Sequence, residues 1–152
     1  METSERQAIQ DRNHAAADRL RALSSRLSDA ELTRPIDPPW TAAGLFAHVA
    51  FWDRFVHARW LLAASTGSRT PIDFDDALLE LINEASLQQW AAIPPRAAVE
   101  DCLAAAGQLD DLIESLDEAV VSVVQAMRPR LLDRSLHRGE HLATIEAAFP
   151  SA

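Results

Sequence analysis

The chain has 152 residues, 48% of them apolar, which is typical of one domain around one core. Its formal net charge of -9 argues against nucleic acid as a partner, because most of the surface would repel phosphates. The single cysteine excludes an internal disulfide framework. Without a recognisable signal peptide or an apolar stretch of bilayer length, we expect a cytoplasmic protein with no membrane partner.

Hydrophobic periodicity predicts helices at residues 4–27, 41–64, 75–92, 97–116, 119–127 and 129–149. Thr41 is a good N-cap for the second of these, and Pro129 suits the first turn of the last. The segment 28–39 is predicted to be turns, and strand signals are weak throughout. These patterns predict an all-α fold, a four-helix bundle in a single domain spanning residues 1–152. The short helix at 75–92 is inserted before the third main helix.

Three histidines have the spacing of a metal site. His48 lies in the middle of the second helix, while His137 and His141 are one turn apart on the last. Residues i and i+4 share a helix face, so two helices would supply three corners of a tetrahedron. The open fourth corner is typical of a reactive zinc site rather than a structural one. The alternative is that each histidine is buried and bonded to a backbone carbonyl.

The helix faces around these histidines suggest a pocket. Trp52 and Phe55 share the inward face of His48 and would form an apolar wall. Arg134, or with less support Arg130 or Arg59, would bind a carboxylate of a ligand, the alternative being a salt bridge.

Two neighbours on the last helix, Glu140 and Thr144, are candidates for contacts behind the ligands or at the rim. Gly139 between the paired histidines suggests the close approach of another helix. Cys102 is expected to be a small buried apolar residue, His57 to face away from the site, and His14 to be solvated.

Other metal motifs fit less well. His137-Arg-Gly-Glu-His141 matches the pattern of inverted zinc proteases, but these need a carboxylate ligand well downstream and only eleven residues follow. A ferritin-like di-iron site needs two Glu-x-x-His pairs, and the sequence has none. Pairing Asp133 with His137 would leave His141 without a role.

At Glu31-Leu-Thr, Trp40, His48-x-x-x-Trp52-Asp53 and His137-x-x-x-His141-Leu-Ala-x-Ile145, the chain resembles the DinB-like superfamily of metal-binding four-helix bundles. That group includes bacillithiol transferase-like proteins and the N-terminal domain of mycothiol-dependent maleylpyruvate isomerase. The resemblance implies one divalent ion, zinc or nickel, held by the three histidines. It also implies a homodimer and an approach of Asn83 to the site.

The resemblance and the metal chemistry together suggest a thiol S-transferase that uses a low-molecular-weight thiol of the mycothiol or bacillithiol type. The isomerase can carry a glutamate where this chain has His137, so isomerase activity is less expected, as is hydrolysis. The alternative is a non-catalytic metal-containing protein that binds a small molecule in the bundle pocket or acts as a dimeric scaffold. The sequence assigns no catalytic residue.

Overall fold

A computed structural model describes residues 3–152. In chain order its elements are α1 (Thr3–Arg26), α2 (Asp29–Thr33), β1 (Pro35–Asp37), β2 (Trp40–Thr41), α3 (Ala42–Thr66), α4 (Asp76–Ala92), α5 (Pro95–Ser115), α6 (Glu118–Met127), a 3-10 turn (Pro129–Leu131) and α7 (Ser135–Ala148). The helices α1, α5, α3 and α7 pack in that cyclic order, and α4 packs on α3. The predicted all-α bundle, with a shorter helix before its third main helix, is confirmed.

Local capping explains where the long central helix α3 begins and ends. The Thr41 hydroxyl accepts the Gly44 amide at 3.0 Å, which satisfies one of the free N–H groups of the first turn. At the other end Gly67 adopts φ 71°, a left-handed conformation that glycine reaches without a steric penalty. Of the described helices, none is long and apolar enough to cross a membrane.

The segment 28–39 is more ordered than predicted. Ser28 and Glu31 form a capping box that starts α2, and β1 then pairs antiparallel with β2. The Ser-x-x-Glu spacing is a known start signal for a helix, so the sequence did contain the information. The segment was expected to be rich in turns, and the short helix and strand within it were not predicted.

The last helix begins at Ser135 rather than at Pro129. The physical reason is a cap that comes from another helix, because Asn13 of α1 reaches the start of α7. Its Oδ1 accepts the backbone amides of Arg134 and Ser135 at 2.8 and 3.1 Å, and its Nδ2 donates to the Leu132 carbonyl at 2.8 Å. Sequence periodicity cannot reveal a cap supplied from 120 residues away along the chain.

The core has two apolar clusters with a charged layer between them. One cluster surrounds Phe46 and Leu142, and the other surrounds Trp60 and Leu132. On each main helix, a buried polar side chain lies where one cluster gives way to the next. These side chains are Asn13, Asp53, Asp110 and Arg138, and the buried Arg134 lies just before α7.

Candidate metal centre and cavity

The three predicted histidines come together between α3 and α7. His137 Nε2 lies 3.2 Å from His48 Nε2 and 3.2 Å from His141 Nε2, and the three donor atoms all lie within 4.8 Å of one another. Two nitrogens bound at 2.0–2.1 Å to a tetrahedral zinc ion are about 3.3 Å apart. The two short contacts therefore have the spacing of neighbouring ligands of one metal ion.

The alternative arrangement, with each ring bonded to a backbone carbonyl, is not found among the described residues. The Nε2 atoms face one another, and His48 Nδ1 is buried with no hydrogen-bond partner in the described part of the chain. Buried polar atoms are normally paired, so three Nε2 atoms that face one another need an explanation. A shared metal ion would supply a partner for all three Nε2 atoms.

Burial keeps the three rings neutral. It lowers the pKa of His48 to about 3, with a smaller contribution from His141. It also lowers the pKa of His137 well below the ordinary value, where the positive charge of Arg134 adds to the effect. The pKa of His141 is lowered by burial too. At neutral pH each ring therefore keeps a nitrogen lone pair, which is what a metal ion requires.

Three tryptophans enclose His48. Its ring meets those of Trp40, Trp52 and Trp90 edge-on, with centroid distances of 5.5, 6.4 and 4.9 Å. Trp90 was not identified from the sequence as a neighbour of the histidine. Nothing in the spacing between α3 and α4 could show this, because the loop between them sets how α4 lies on α3.

A buried ion network lies directly behind the histidines. Asp53 accepts Arg134 Nε at 2.9 Å and Arg138 Nε at 2.8 Å, one on each carboxylate oxygen. Arg138 also forms a bidentate pair with Asp110, at 2.9 and 3.0 Å. Neither Arg138 nor Asp110 was singled out in the sequence. The sequence feature that could have identified these two residues is a charged side chain on an otherwise apolar helix face.

Arg134, the first candidate for binding a ligand carboxylate, makes contacts within the protein. Its Nε is taken by Asp53, its Nη1 donates to the Arg130 carbonyl at 2.7 Å, and its Nη2 lies 3.3 Å from His137 Nδ1. The alternative that the sequence left open, a salt bridge, is the arrangement observed. The guanidinium lines the cavity, and each of its three nitrogens has a contact within the protein.

A family model described as the DinB superfamily matches residues 12–149. The chain belongs to the DinB superfamily. All three histidines lie within the matched region, and DinB-like proteins are often metal-binding. Comparison with curated proteins gave no match, and comparison with solved structures gave none either.

In this DinB-superfamily bundle the histidines form one wall of a cavity of about 470 Å³. Such a volume is typical of small-molecule sites. Trp52 lines the cavity, and its indole Nε1 donates to Asn83 Oδ1 at 2.9 Å, so Asn83 does approach the site. Phe55 lies behind this wall, edge-on to Trp52 with centroids 5.4 Å apart. It supports the wall but does not line the cavity.

The remaining predicted residues have separate places. Glu140 is at the cavity rim and accepts Arg130 Nη2 at 2.6 Å. Thr144 is exposed, and its hydroxyl donates to the Glu140 carbonyl at 3.2 Å, so it lies outside the cavity. A Cβ on Gly139 would approach only the end of the Arg19 side chain, at 4.0 Å, and the expected close approach of another helix is wrong.

Residues expected to lie elsewhere do so. Cys102 is fully buried in the apolar core, and burial raises the pKa of its thiol. His14 is exposed and lies beside the Glu114 carboxylate. His57 is half-buried and does not line the cavity.

Proposed function

We propose that this chain binds one divalent metal ion, zinc or nickel, through His48, His137 and His141. We further propose that it acts as a thiol S-transferase with a low-molecular-weight thiol as co-substrate. The observation that supports this most directly is the meeting of three neutral imidazoles at the wall of a small-molecule cavity. Superfamily membership supports it as well.

When bound, such an ion lowers the pKa of a thiol or water in its open position, so that a thiolate persists at neutral pH. The chain's own residues supply the rest. The neutral histidines offer lone pairs, and Trp40, Trp52 and Trp90 shield the site from water. Asn83 fixes the orientation of the Trp52 indole through its hydrogen bond.

The first experiment measures metal. Protein purified without a metal-affinity tag is analysed by elemental mass spectrometry, beside the His48→Ala, His141→Ala and His57→Ala variants. We expect about one zinc or nickel ion per chain in the wild type and in His57→Ala, the matched control from the same helix. We expect none in the other two variants. A wild-type protein that stays metal-free after dialysis against zinc or nickel would refute the site.

The second experiment measures transfer. A thiol and an aryl chloride are incubated with the metal-loaded protein. In the reaction a carbon–sulfur bond forms, chloride leaves and the thiol proton passes to solvent. We expect turnover that disappears in His48→Ala. An intact metal content without turnover across a panel of thiols and electrophiles would refute the transferase.

One observation favours a second candidate, a non-catalytic metal-containing protein that binds a small molecule. Glu140 is the only carboxylate among the residues that line the cavity in the described part of the chain, and it is exposed and paired with Arg130. An enzyme that needs a general base would have few choices here. Tight ligand binding without turnover would support this candidate.

A homodimer is also proposed. Leu61 and Leu62 near the end of α3, and Leu78 and Leu81 on α4, are large apolar side chains left 45–61% exposed. Covering such side chains in a second copy would remove them from water. Sedimentation analysis at micromolar concentration should give a mass near twice 16.7 kDa. A single species at the monomer mass would contradict the dimer.

A further inference from the structure

A continuous run of rings joins the histidines to a buried arginine along the cavity wall. The His48 ring lies 6.4 Å from the Trp52 ring, and Trp52 is stacked at 6.1 Å from Phe74. The guanidinium carbon of Arg59 lies 4.9 Å from the centre of the Phe74 ring. All four residues line the same cavity, which therefore has a histidine end, an aromatic middle and an arginine end.

The helix α3 sets the distance between these ends. His48 and Arg59 share one face because eleven residues correspond to just over three whole turns. At 1.5 Å per residue their Cα atoms are about 16 Å apart along the helix axis. Both side chains tilt toward the helix N-terminus, so the tilt leaves the separation between them nearly unchanged. A bound molecule, together with its contacts at the two ends, would have to span roughly 16 Å.

Arg59 retains more hydrogen-bonding capacity than Arg134, whose three nitrogens all have contacts within the protein. The Nε and Nη2 of Arg59 both donate to the Ile72 carbonyl, with Nε at 2.9 Å. Its Nη1 has no partner among the described residues, although the side chain is only 8% exposed. A buried guanidinium with an unused donor at a cavity wall is suited to a carboxylate, which can accept two of its N–H groups.

The charge around Arg59 is also in excess. Arg128 lies beside it, and the two guanidiniums share one carboxylate, Asp73, at 3.9 and 3.1 Å. That carboxylate is 70% exposed, so solvent weakens its compensation. At the opposite rim Arg130 and Glu140 neutralise each other. The arginine end of the cavity is therefore positive, in a chain whose formal net charge is -9.

We propose that the cavity binds an elongated carboxylate, whose acid group pairs with Arg59 and whose apolar body lies against Trp52 and Phe74. Its far end reaches the three histidines. This proposal rests on the proposed function and names the class of ligand. Only the contact of the ligand with the histidines depends on the metal, and the contact with Arg59 does not.

The test compares two probes that differ only in charge, 8-mercaptooctanoate and 8-mercapto-1-octanol. Binding to the metal-loaded protein is followed by tryptophan fluorescence, because Trp40 and Trp52 line the cavity. We expect the acid to bind at least tenfold more tightly than the alcohol. In Arg59→Met this preference should fall to about one. In Arg54→Met, which removes an equal charge from an exposed ion pair on the same helix, it should persist.

Two results would overturn the inference. Equal binding of acid and alcohol to the wild type would show that the arginine end does not select for charge. An equal loss of affinity for both probes in Arg59→Met, with the preference kept, would show that Arg59 only anchors the segment around Ile72. Arg59→Lys keeps the charge without the guanidinium fork and should keep part of the preference.

Octanoate and 1-octanol, which lack a thiol, distinguish a failure of the metal site from a failure of the carboxylate site at Arg59. In chelator-treated protein octanoate should still bind more tightly than octanol, and Arg59→Met should remove that difference.

If Arg59→Met does not fold, the wild type still tests the length of ligand that the cavity accepts. The acid preference should be strong for 8-mercaptooctanoate and small for 4-mercaptobutanoate, each compared with its alcohol. Equal preference at both lengths would refute the bridging of the cavity.

Discussion

Replacing Arg138 with methionine should destabilise the protein strongly while leaving the metal content unchanged. Arg138 is fully buried and pairs with Asp53 and Asp110, but it does not touch a histidine. After the substitution Asp53 keeps its bond to Arg134. Asp110 loses its only ionic partner in the described part of the chain and stays buried.

The magnitude follows from the unpaired carboxylate. Breaking a buried ion pair by removing one partner costs about 3–5 kcal/mol. Burial already raises the pKa of Asp110, against the opposing effect of Arg138. Without Arg138 this pKa rises further, so Asp110 is protonated more readily in the folded variant. The neutral acid is the better tolerated form, and the deficit relative to the wild type should be larger at pH 7 than at pH 5.

Urea denaturation at both pH values measures this effect. The double variant Arg138→Met/Asp110→Leu replaces the pair by apolar groups and should be at least about 2 kcal/mol more stable than Arg138→Met alone. Arg54→Met, which breaks an exposed pair with Asp101, should cost at most about 1 kcal/mol. The reasoning would be refuted if Arg138→Met cost less than about 1 kcal/mol. It would also be refuted if the double variant were no more stable than Arg138→Met.

Three further predictions concern groups described above. In the unfolded chain His48 takes up a proton below about pH 6.5, whereas in the folded protein burial lowers its pKa to about 3 and the ring stays neutral. Metal-free protein should therefore lose about 2 kcal/mol between pH 7 and pH 5 from this residue alone, and urea midpoints that do not change with pH would contradict this. The Cys102 thiol should react with a thiol reagent only on unfolding, and labelling of the native protein within minutes would show that it is accessible. Asn13→Ala should lower the unfolding free energy by about 2 kcal/mol through loss of the α7 cap, whereas an exposed change such as Gln7→Ala should have little effect.

The bundle was predictable because periodicity depends on the sequence alone. Apolar residues every third or fourth position mark the buried face of a helix wherever its partner lies. The start of α7 was not predictable, since its cap comes from Asn13 on α1. The capping box of Ser28 and Glu31 was readable but overlooked, because the prolines that follow suggested turns.

For the site, the histidines were predictable from their spacing, and their partners were not. The spacing of His137 and His141 fixes them on one helix face, whatever the rest of the fold does. Whether Arg134 binds a ligand or a carboxylate depends on where Asp53 lies in space. That position depends on the packing of α3 against α7, which one sequence does not specify. Arg59 differs from Arg134 in that its carboxylate neighbour is exposed and shared, and this is why the carboxylate is proposed to bind there.

The contact between Arg134 and His137 sets a condition on metal binding. A neutral imidazole carries one hydrogen, so a ring whose Nδ1 accepts from Arg134 Nη2 carries that hydrogen on Nε2. Such a ring has no Nε2 lone pair for a metal ion, and therefore this contact and ligation through Nε2 exclude each other. The contact is long, at 3.3 Å, while the bonds of Arg134 to Asp53 and to the Arg130 carbonyl are 2.9 and 2.7 Å. The guanidinium can give up one donor contact and keep its charge paired, so the ion network allows His137 to change tautomer without leaving a buried charge uncompensated.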